Sequence, residues 1–214
     1  MSKENRYIVV EGPIGVGKTT LASRIAKDFN GTLVLERAEE NPFLEKFYIN
    51  PRHLALHTQL FFLLQRKRQM EEIGDEALDK TIVADFLLEK DRLFAEATLN
   101  DDEFSLYDQI YRELIQTTPK PDLVVYLQAP IEVLLQRIKK RGRRFERPVD
   151  TTYLHQLSDS YTRFFHYYSD AALLIVNATE IDFAHNENDY QRLFEQIKTI
   201  DKGRHFFNPL PDAK

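Results

Sequence analysis

Apolar residues along the chain fall into two rhythms. Short runs rich in Val, Ile and Leu occur at RYIVVE (6–11), TLVLE (32–36), TIVADF (81–86), DLVVYL (122–127) and ALLIVN (172–177). These runs are β-branched and do not alternate with polar residues, which predicts strands buried on both faces of a parallel sheet. Between them lie stretches with helical spacing: 19–29, 51–73, 88–98, 104–116, 131–141, 151–169 and 189–200. The longest opens with Pro51 at a first-turn position, where a missing N–H costs nothing. Pro119 and Pro121 punctuate the chain before the fourth strand. Strands alternating with helices predict a five-stranded parallel sheet flanked by helices on both faces. No repeat, linker or low-complexity segment interrupts the pattern, so residues 1–214 read as a single α/β domain.

Composition narrows the function classes. A chain of 214 residues can bury one full core. Its formal net charge of -5 argues against a nucleic-acid backbone as partner, although a local basic cluster can still hold a small anion. There are no cysteines, hence no disulfide, thiolate metal site or cysteine nucleophile. MSKENR runs straight into a strand and does not resemble a signal peptide. The longest apolar run is six residues, far short of a membrane span. The expectation is a cytoplasmic protein with no membrane partner.

The chain places three of its seven glycines in one turn, EGPIGVGKTT. Gly12, Pro13, Ile14, Gly15, Val16, Gly17, Lys18 and Thr19 fit G-x-x-x-x-G-K-[ST], after a strand and opening a helix, with Thr20 next. Glycines let the backbone wrap an anion with its N–H groups inward, and the helix N-terminus adds partial positive charge. Lys18 would reach the β- and γ-phosphates and Thr19 would hold Mg²⁺. A glycine-rich turn with a chance lysine fits this spacing and context poorly, so the segment predicts a nucleoside triphosphate site. No Asn-Lys-x-Asp guanine motif follows the fifth strand, which reads VNATEID.

Three further constellations concern the acceptor. Glu36 ends the second strand, and carboxylates at the C-terminal ends of parallel strands face the ligand crevice. It could orient a hydroxyl and take its proton; equally, among Glu39, Glu40 and Glu45, it could be a solvated loop residue. Gln59 and Arg66 lie two turns apart on one helix face, close to Phe62 and Leu63. A planar base would satisfy a buried amide there, as water would on an exposed face. Finally, RIKKRGRRFER concentrates Arg137, Arg141, Arg143, Arg144 and Arg147, with Gly142 breaking the helix. Guanidinium forks suit phosphate oxygens, so a mobile lid over a triphosphate is one reading. A solvated basic helix end is the other.

The quoted P-loop, ERAEENPFLEKFY, TQLFFLLQRKRQ, VADFLLEKDRLFA and RIKKRGRRFE together resemble the deoxynucleoside kinase family, and most closely its bacterial deoxyguanosine/deoxyadenosine kinase-like branch. VNATEIDF, with Asp189 beyond it, is similar to the family's adenine-side loop. The resemblance implies a P-loop fold, ATP and Mg²⁺, a deoxynucleoside substrate and a homodimer formed through helices. It implies Glu36 as base for the 5′-hydroxyl, Tyr48 and Glu146 on the sugar 3′-hydroxyl, and Gln59 on the base edge. Arg66 and Asp91 would complete the base site, Arg137, Arg141 and Arg143 would form the lid (about 137–147), and Asp85 would join Thr19 at the metal. Two positions depart from the family pattern. The Glu/Asp-Arg-Ser motif reads Asp85-Phe86-Leu87, without its arginine, and Arg37 replaces the proline usual after the base glutamate. Arg92 or a lid arginine is the expected substitute for the missing cation. The rival readings are a thymidylate-like nucleoside monophosphate kinase and a nucleotide-binding regulatory protein that has lost catalysis.

Overall fold

The computed structural model describes residues 5–73, 79–115, 118–146, 148–149 and 151–209. In chain order the elements are β1 (Tyr7–Glu11), α1 (Lys18–Asp28), β2 (Thr32–Val34), α2 (Leu44–Ile49), α3 (Pro51–Ile73), β3 (Ile82–Ala84) and α4 (Lys90–Thr98). There follow α5 (Asp101–Ile115), β4 (Leu123–Gln128), α6 (Ile131–Arg141), α7 (Thr151–Tyr167), β5 (Ala172–Asn177), α8 (Glu187–Thr199) and β6 (Arg204–Phe207). The sheet runs β2-β3-β1-β4-β5-β6 with every pairing parallel. Each predicted strand is present. The helix predicted over 104–116 is α5, and Gln116 lies outside the described residues.

The sheet has six strands among the described residues, not the predicted five. The extra one, β6, pairs Leu173 with Arg204 through to Val176 with Phe207. It is a four-residue edge strand with three exposed side chains, so it carries none of the apolar run that marks a buried strand.

The pleat explains why the inner strands are apolar throughout. Successive side chains of β1 point to opposite faces. Ile8 and Val10 meet Leu21 and Ile25 of α1, Leu134 and Ile138 of α6, and Leu193 and Ile197 of α8. Tyr7 and Val9 face the other way, toward Leu93 of α4 and Leu157, Tyr161 and Phe165 of α7. Fully burying a Leu, Ile or Phe contributes about 1.5–3 kcal/mol each. Beyond that second face, α3 carries two smaller cores: Ala55 and Phe62 pack on Leu44 and Phe47, and Leu63 packs on Ala95, Tyr107 and Tyr111.

The chain fills one side of the sheet with β2 and β3, then crosses to β4 and β5 on the other. β1 therefore stands where the winding reverses. Ligands in open parallel sheets bind outside the carboxyl ends of the strands at such a reversal, and the glycine-rich turn sits at that end of β1.

Candidate active site

The turn between β1 and α1 is anchored from below by Val16, whose side chain is wholly buried in the core. Its glycines are required by close packing. A Cβ on Gly12 would lie 2.5 Å from the Leu127 carbonyl oxygen, and Gly17, at φ 110°, would drive one to 2.9 Å from the Phe183 ring. Lys18 Nζ folds back over the turn and donates to the carbonyls of Gly12 (2.7 Å) and Pro13 (3.3 Å). Burial lowers its ammonium pKa despite the carboxylates nearby. A concave surface beside Gly15, Val16, Gly17 and Thr20 is closed by Arg137, Lys140 and Arg141 on one side and by residues 179–185 on the other. Those residues belong to the predicted adenine-side loop, and Asp189 holds it by accepting from the Asp182 N–H at 2.9 Å.

A second pocket opens from the same turn. Gly15, Lys18, Thr19, Glu36, Tyr48, Gln59, Arg66, Asp85, Arg141, Arg143 and Glu146 all line it. Residues far apart in sequence thus meet at one place, and Asp91 stands behind Arg66 in an ion pair with it.

Glu36 lies just past β2, with 20% of its side chain exposed. Its carboxylate pairs with Arg66 and sits 3.2 Å from Lys90 Nζ. Burial by itself would raise its pKa, but Arg66, Lys90 and Lys18 outweigh that and hold the carboxyl well below the usual carboxylate range. The solvated-loop alternative is therefore excluded. Asp85 braces this corner: one oxygen accepts the Thr19 hydroxyl at 2.6 Å, the other accepts the Glu36 backbone N–H at 2.6 Å. Burial raises the Asp85 pKa, and the hydrogen bonds from Thr19 and Glu36 offset part of the rise.

The far wall comes from α3. Gln59 is buried, and its amide donates to Thr98 Oγ1 at 3.2 Å, while the Thr98 hydroxyl donates to the Phe94 carbonyl at 2.7 Å. That chain fixes one amide hydrogen. Arg66, 4% exposed, stacks over Phe62 at 4.7 Å and links the Glu36 and Asp91 carboxylates. One guanidinium thus bridges carboxylates from the β2 end and from α4. Tyr48 packs edge-on against Tyr153 and at a tilt against Phe47, and burial pushes its phenol pKa well up.

The arginine segment resolves into two parts. Arg141 clasps Glu146 with both a 3.1 Å and a 2.5 Å bond, and Arg143 lies 3.9 Å from the same carboxylate. Glu146 is 4% exposed, so this part is folded onto the pocket. Gly142, at φ 69°, ends α6 as predicted. Arg137 behaves differently from the lid expected of it. It donates to the carbonyls of Val16 (3.2 Å) and Ala178 (2.8 Å), bracing the phosphate turn against β5 rather than facing Glu36. Arg147 lies outside the described residues.

Arg92 does not replace the missing motif arginine. It turns away to Asp108 at 2.9 Å and is 45% exposed. Phe86, at the arginine's position, is wholly buried in the core. Sequence reasoning missed two residues here. Glu11 accepts from the N–H groups of Gly12 (2.8 Å) and Leu87 (2.7 Å) and from the Tyr161 hydroxyl (2.9 Å). An acid closing an apolar strand was a readable signal, since a buried carboxylate must be paired. Lys90 gave none, because it stands between Glu89 and Asp91 like any solvated helix start.

Comparison with known proteins points to one family. Residues 8–201 match the family described as deoxynucleoside kinase. A deoxyguanosine kinase of Bacillus subtilis is 36% identical over 200 residues, covering 91% of this chain and 97% of that protein. A deoxyadenosine/deoxycytidine kinase of the same organism is 27% identical over 203 residues, covering 92% and 94%. Among solved structures, a deoxyadenosine kinase from M. mycoides with bound dATP superposes with a TM-score of 0.79 at 24% identity, covering 91% of this chain and all of that one, which establishes the shared fold. A P-loop and a carboxylate-bearing pocket that meet at one strand end are what a phosphotransferase with a hydroxyl acceptor requires, and with these relatives spanning nearly its whole length the chain belongs to the deoxynucleoside kinase family.

Proposed function

We propose that the protein transfers the γ-phosphoryl group of ATP to the 5′-hydroxyl of a purine deoxynucleoside, deoxyguanosine or deoxyadenosine. The observation that carries this reading is the position of the Glu36 carboxylate across one pocket from Lys18 and Thr19. The Bacillus subtilis deoxyguanosine kinase supports the purine preference. Gln59 meets the base edge, with Arg66 and Asp91 behind it, and Tyr48 and Glu146 take the 3′-hydroxyl.

In the transfer, the 5′-oxygen bonds to the γ-phosphorus while the bond from that phosphorus to the bridging oxygen breaks, and ADP leaves with the electron pair. The hydroxyl proton passes to the Glu36 carboxylate. A carboxylate held so far below its usual pKa is a weak base, and its main work is to orient the hydroxyl. That suits phosphoryl transfer, whose loose transition state rewards positioning and charge neutralisation. Lys18 leaves the Gly12 and Pro13 carbonyls for the phosphates, and Arg141 and Arg143 supply further positive charge. Arg137 serves the donor side by shaping the turn.

The residues present fit Mg²⁺. Thr19 Oγ1 and Asp85 form a hydroxyl–carboxylate pair of hard oxygen donors at the phosphate turn, and Mg²⁺ commonly takes one or two protein ligands beside phosphate oxygens. They would hold the ion, which when bound neutralises charge on the triphosphate. The reading includes a cytoplasmic location and a homodimer through helices. An exposed groove between α4 and α7, with Tyr167 78% exposed at its rim, supports the latter.

The test is turnover with ATP and Mg²⁺ on a panel of deoxynucleosides and their monophosphates. Deoxyguanosine and deoxyadenosine should be phosphorylated much faster than any monophosphate. A monophosphate as the better acceptor would overturn the reading in favour of a thymidylate-like kinase, and no turnover on any acceptor would favour a regulatory protein.

A further inference from the structure

Lys90 is the first residue of α4, and its side chain is 3% exposed. An ammonium there is doubly disfavoured. It has lost its water, and it sits at a helix N-terminus, where the dipole repels cations. Two carboxylates hold it: Glu36 Oε1 at 3.2 Å and Glu11 Oε2 at 3.6 Å. Glu11 does not need it, since that carboxylate already accepts three hydrogen bonds, from Gly12, Leu87 and Tyr161. The nearer contact is with Glu36, at the point where the acceptor hydroxyl must arrive.

The remaining cations near Glu36 have other partners. Arg66 is shared with Asp91, and Lys18 is folded onto the phosphate turn. Asp85 turns its carboxylate to Thr19 and to the Glu36 amide, and Arg92 is committed to Asp108. Lys90 Nζ otherwise faces the Phe94 ring at 5.9 Å, and its side chain lines the acceptor pocket.

The geometry points to Lys90 as the residue that positions and charge-balances Glu36 during transfer, in place of the arginine that Asp85-Phe86-Leu87 lacks. This inference rests on Glu36 as the acceptor base. Before transfer the ammonium keeps the carboxylate aimed. As the 5′-O–H bond breaks and its proton joins Glu36, that pair loses its negative member. Lys90, still protonated, turns its charge toward the oxygens of the phosphoryl group being transferred. The hydroxyl proton goes to Glu36 alone, and Glu11 on the opposite side anchors Lys90.

The experiment compares Lys90→Met, Lys90→Arg, Glu36→Gln and the Lys90→Met/Glu36→Gln double variant, with deoxyguanosine and deoxyadenosine as acceptors. Lys90→Met should lower kcat on the order of 10²-fold, as removal of an electrostatic stabiliser does, with KM for ATP unchanged. Lys90→Arg should recover most of the loss. With Glu36→Gln already in place, Lys90→Met should cost only about 3-fold or less, because the two act as a unit. Lys90→Gln, which can still hydrogen-bond both carboxylates, replaces Lys90→Met if circular dichroism shows that variant unfolded. Parental kcat in Lys90→Met, or its full penalty in the Glu36→Gln background, overturns the role of Lys90 alone. Near-parental turnover by Glu36→Gln itself overturns the base reading instead.

Discussion

Removing the Glu146 carboxylate should sharply reduce the enzyme's dependence on a 3′-hydroxyl. Glu146 is buried, and its two oxygens each accept one bond from Arg141. An ionised carboxylate offers about four lone-pair sites, so roughly two remain for a hydroxyl arriving in the pocket. A hydrogen bond to a charged group contributes about 1.5–3 kcal/mol, which is about 10- to 150-fold in kcat/KM. A 2′,3′-dideoxynucleoside should pay that penalty on the parent enzyme. Much of it should fall in kcat, because Glu146 belongs to the segment that carries Arg141 and Arg143 over the pocket. Glu146→Ala also releases Arg141, but that harm falls on both substrates alike and cancels in their ratio. The variant should therefore be slow on the deoxynucleoside and discriminate against the dideoxy compound by only about 3-fold. Steady-state kinetics with two substrates and two proteins suffice. If the dideoxy penalty is the same size in both, Glu146 serves only to hold Arg141, and the sugar contact is wrong.

Three other outcomes are expected. Lys18→Ala should lose on the order of 10²-fold or more in kcat while its thermal unfolding stays near the parent's, since Lys18 caps the turn and packs no core; full activity would refute the phosphate cradle. Gln59→Leu should raise KM for the deoxynucleoside by an amount equivalent to about 1–3 kcal/mol and leave KM for ATP alone, so equal effects on both would remove Gln59 from the base site. Glu36→Gln should be less stable than the parent at neutral pH. The Glu36 pKa is depressed in the fold, so its contribution is complete above the unfolded value of 4.5 and is lost as pH falls; urea midpoints of the two proteins should converge from there downward, and a constant gap would show that the Arg66 and Lys90 pairs add no stability.

The parts legible from sequence were those whose chemistry and periodicity coincide. The P-loop announced itself because its glycines, lysine and threonine are adjacent and the strand and helix around it are strongly patterned. Gly142 as a helix stop was equally local. What escaped reading depends on contacts across the chain. Lys90 looks solvated in EKDR, and only the fold brings Glu11 and Glu36 against it. Arg137 and Arg141 share a helix face, yet the backbone of residues 16 and 178 captures the first while Glu146 captures the second. β6 was invisible because an exposed edge strand pairs through its backbone and needs no apolar run.

On the proposed reading, Asp85 ties the donor site to the acceptor site. The same carboxylate grips the Thr19 hydroxyl on one side and the Glu36 amide on the other. If a nucleotide draws Thr19 toward its phosphates, the Glu36 loop should shift with it through Asp85, and a sugar bound at that loop should act back on Thr19. Coupling of this kind is reciprocal: the factor by which either ligand alters the other's affinity is the same in both directions. On that reading, donor choice and acceptor choice are not independent settings. An engineer who retunes the helix end at Thr19 for a different triphosphate should expect the acceptor preference to move with it unless Asp85 is changed as well.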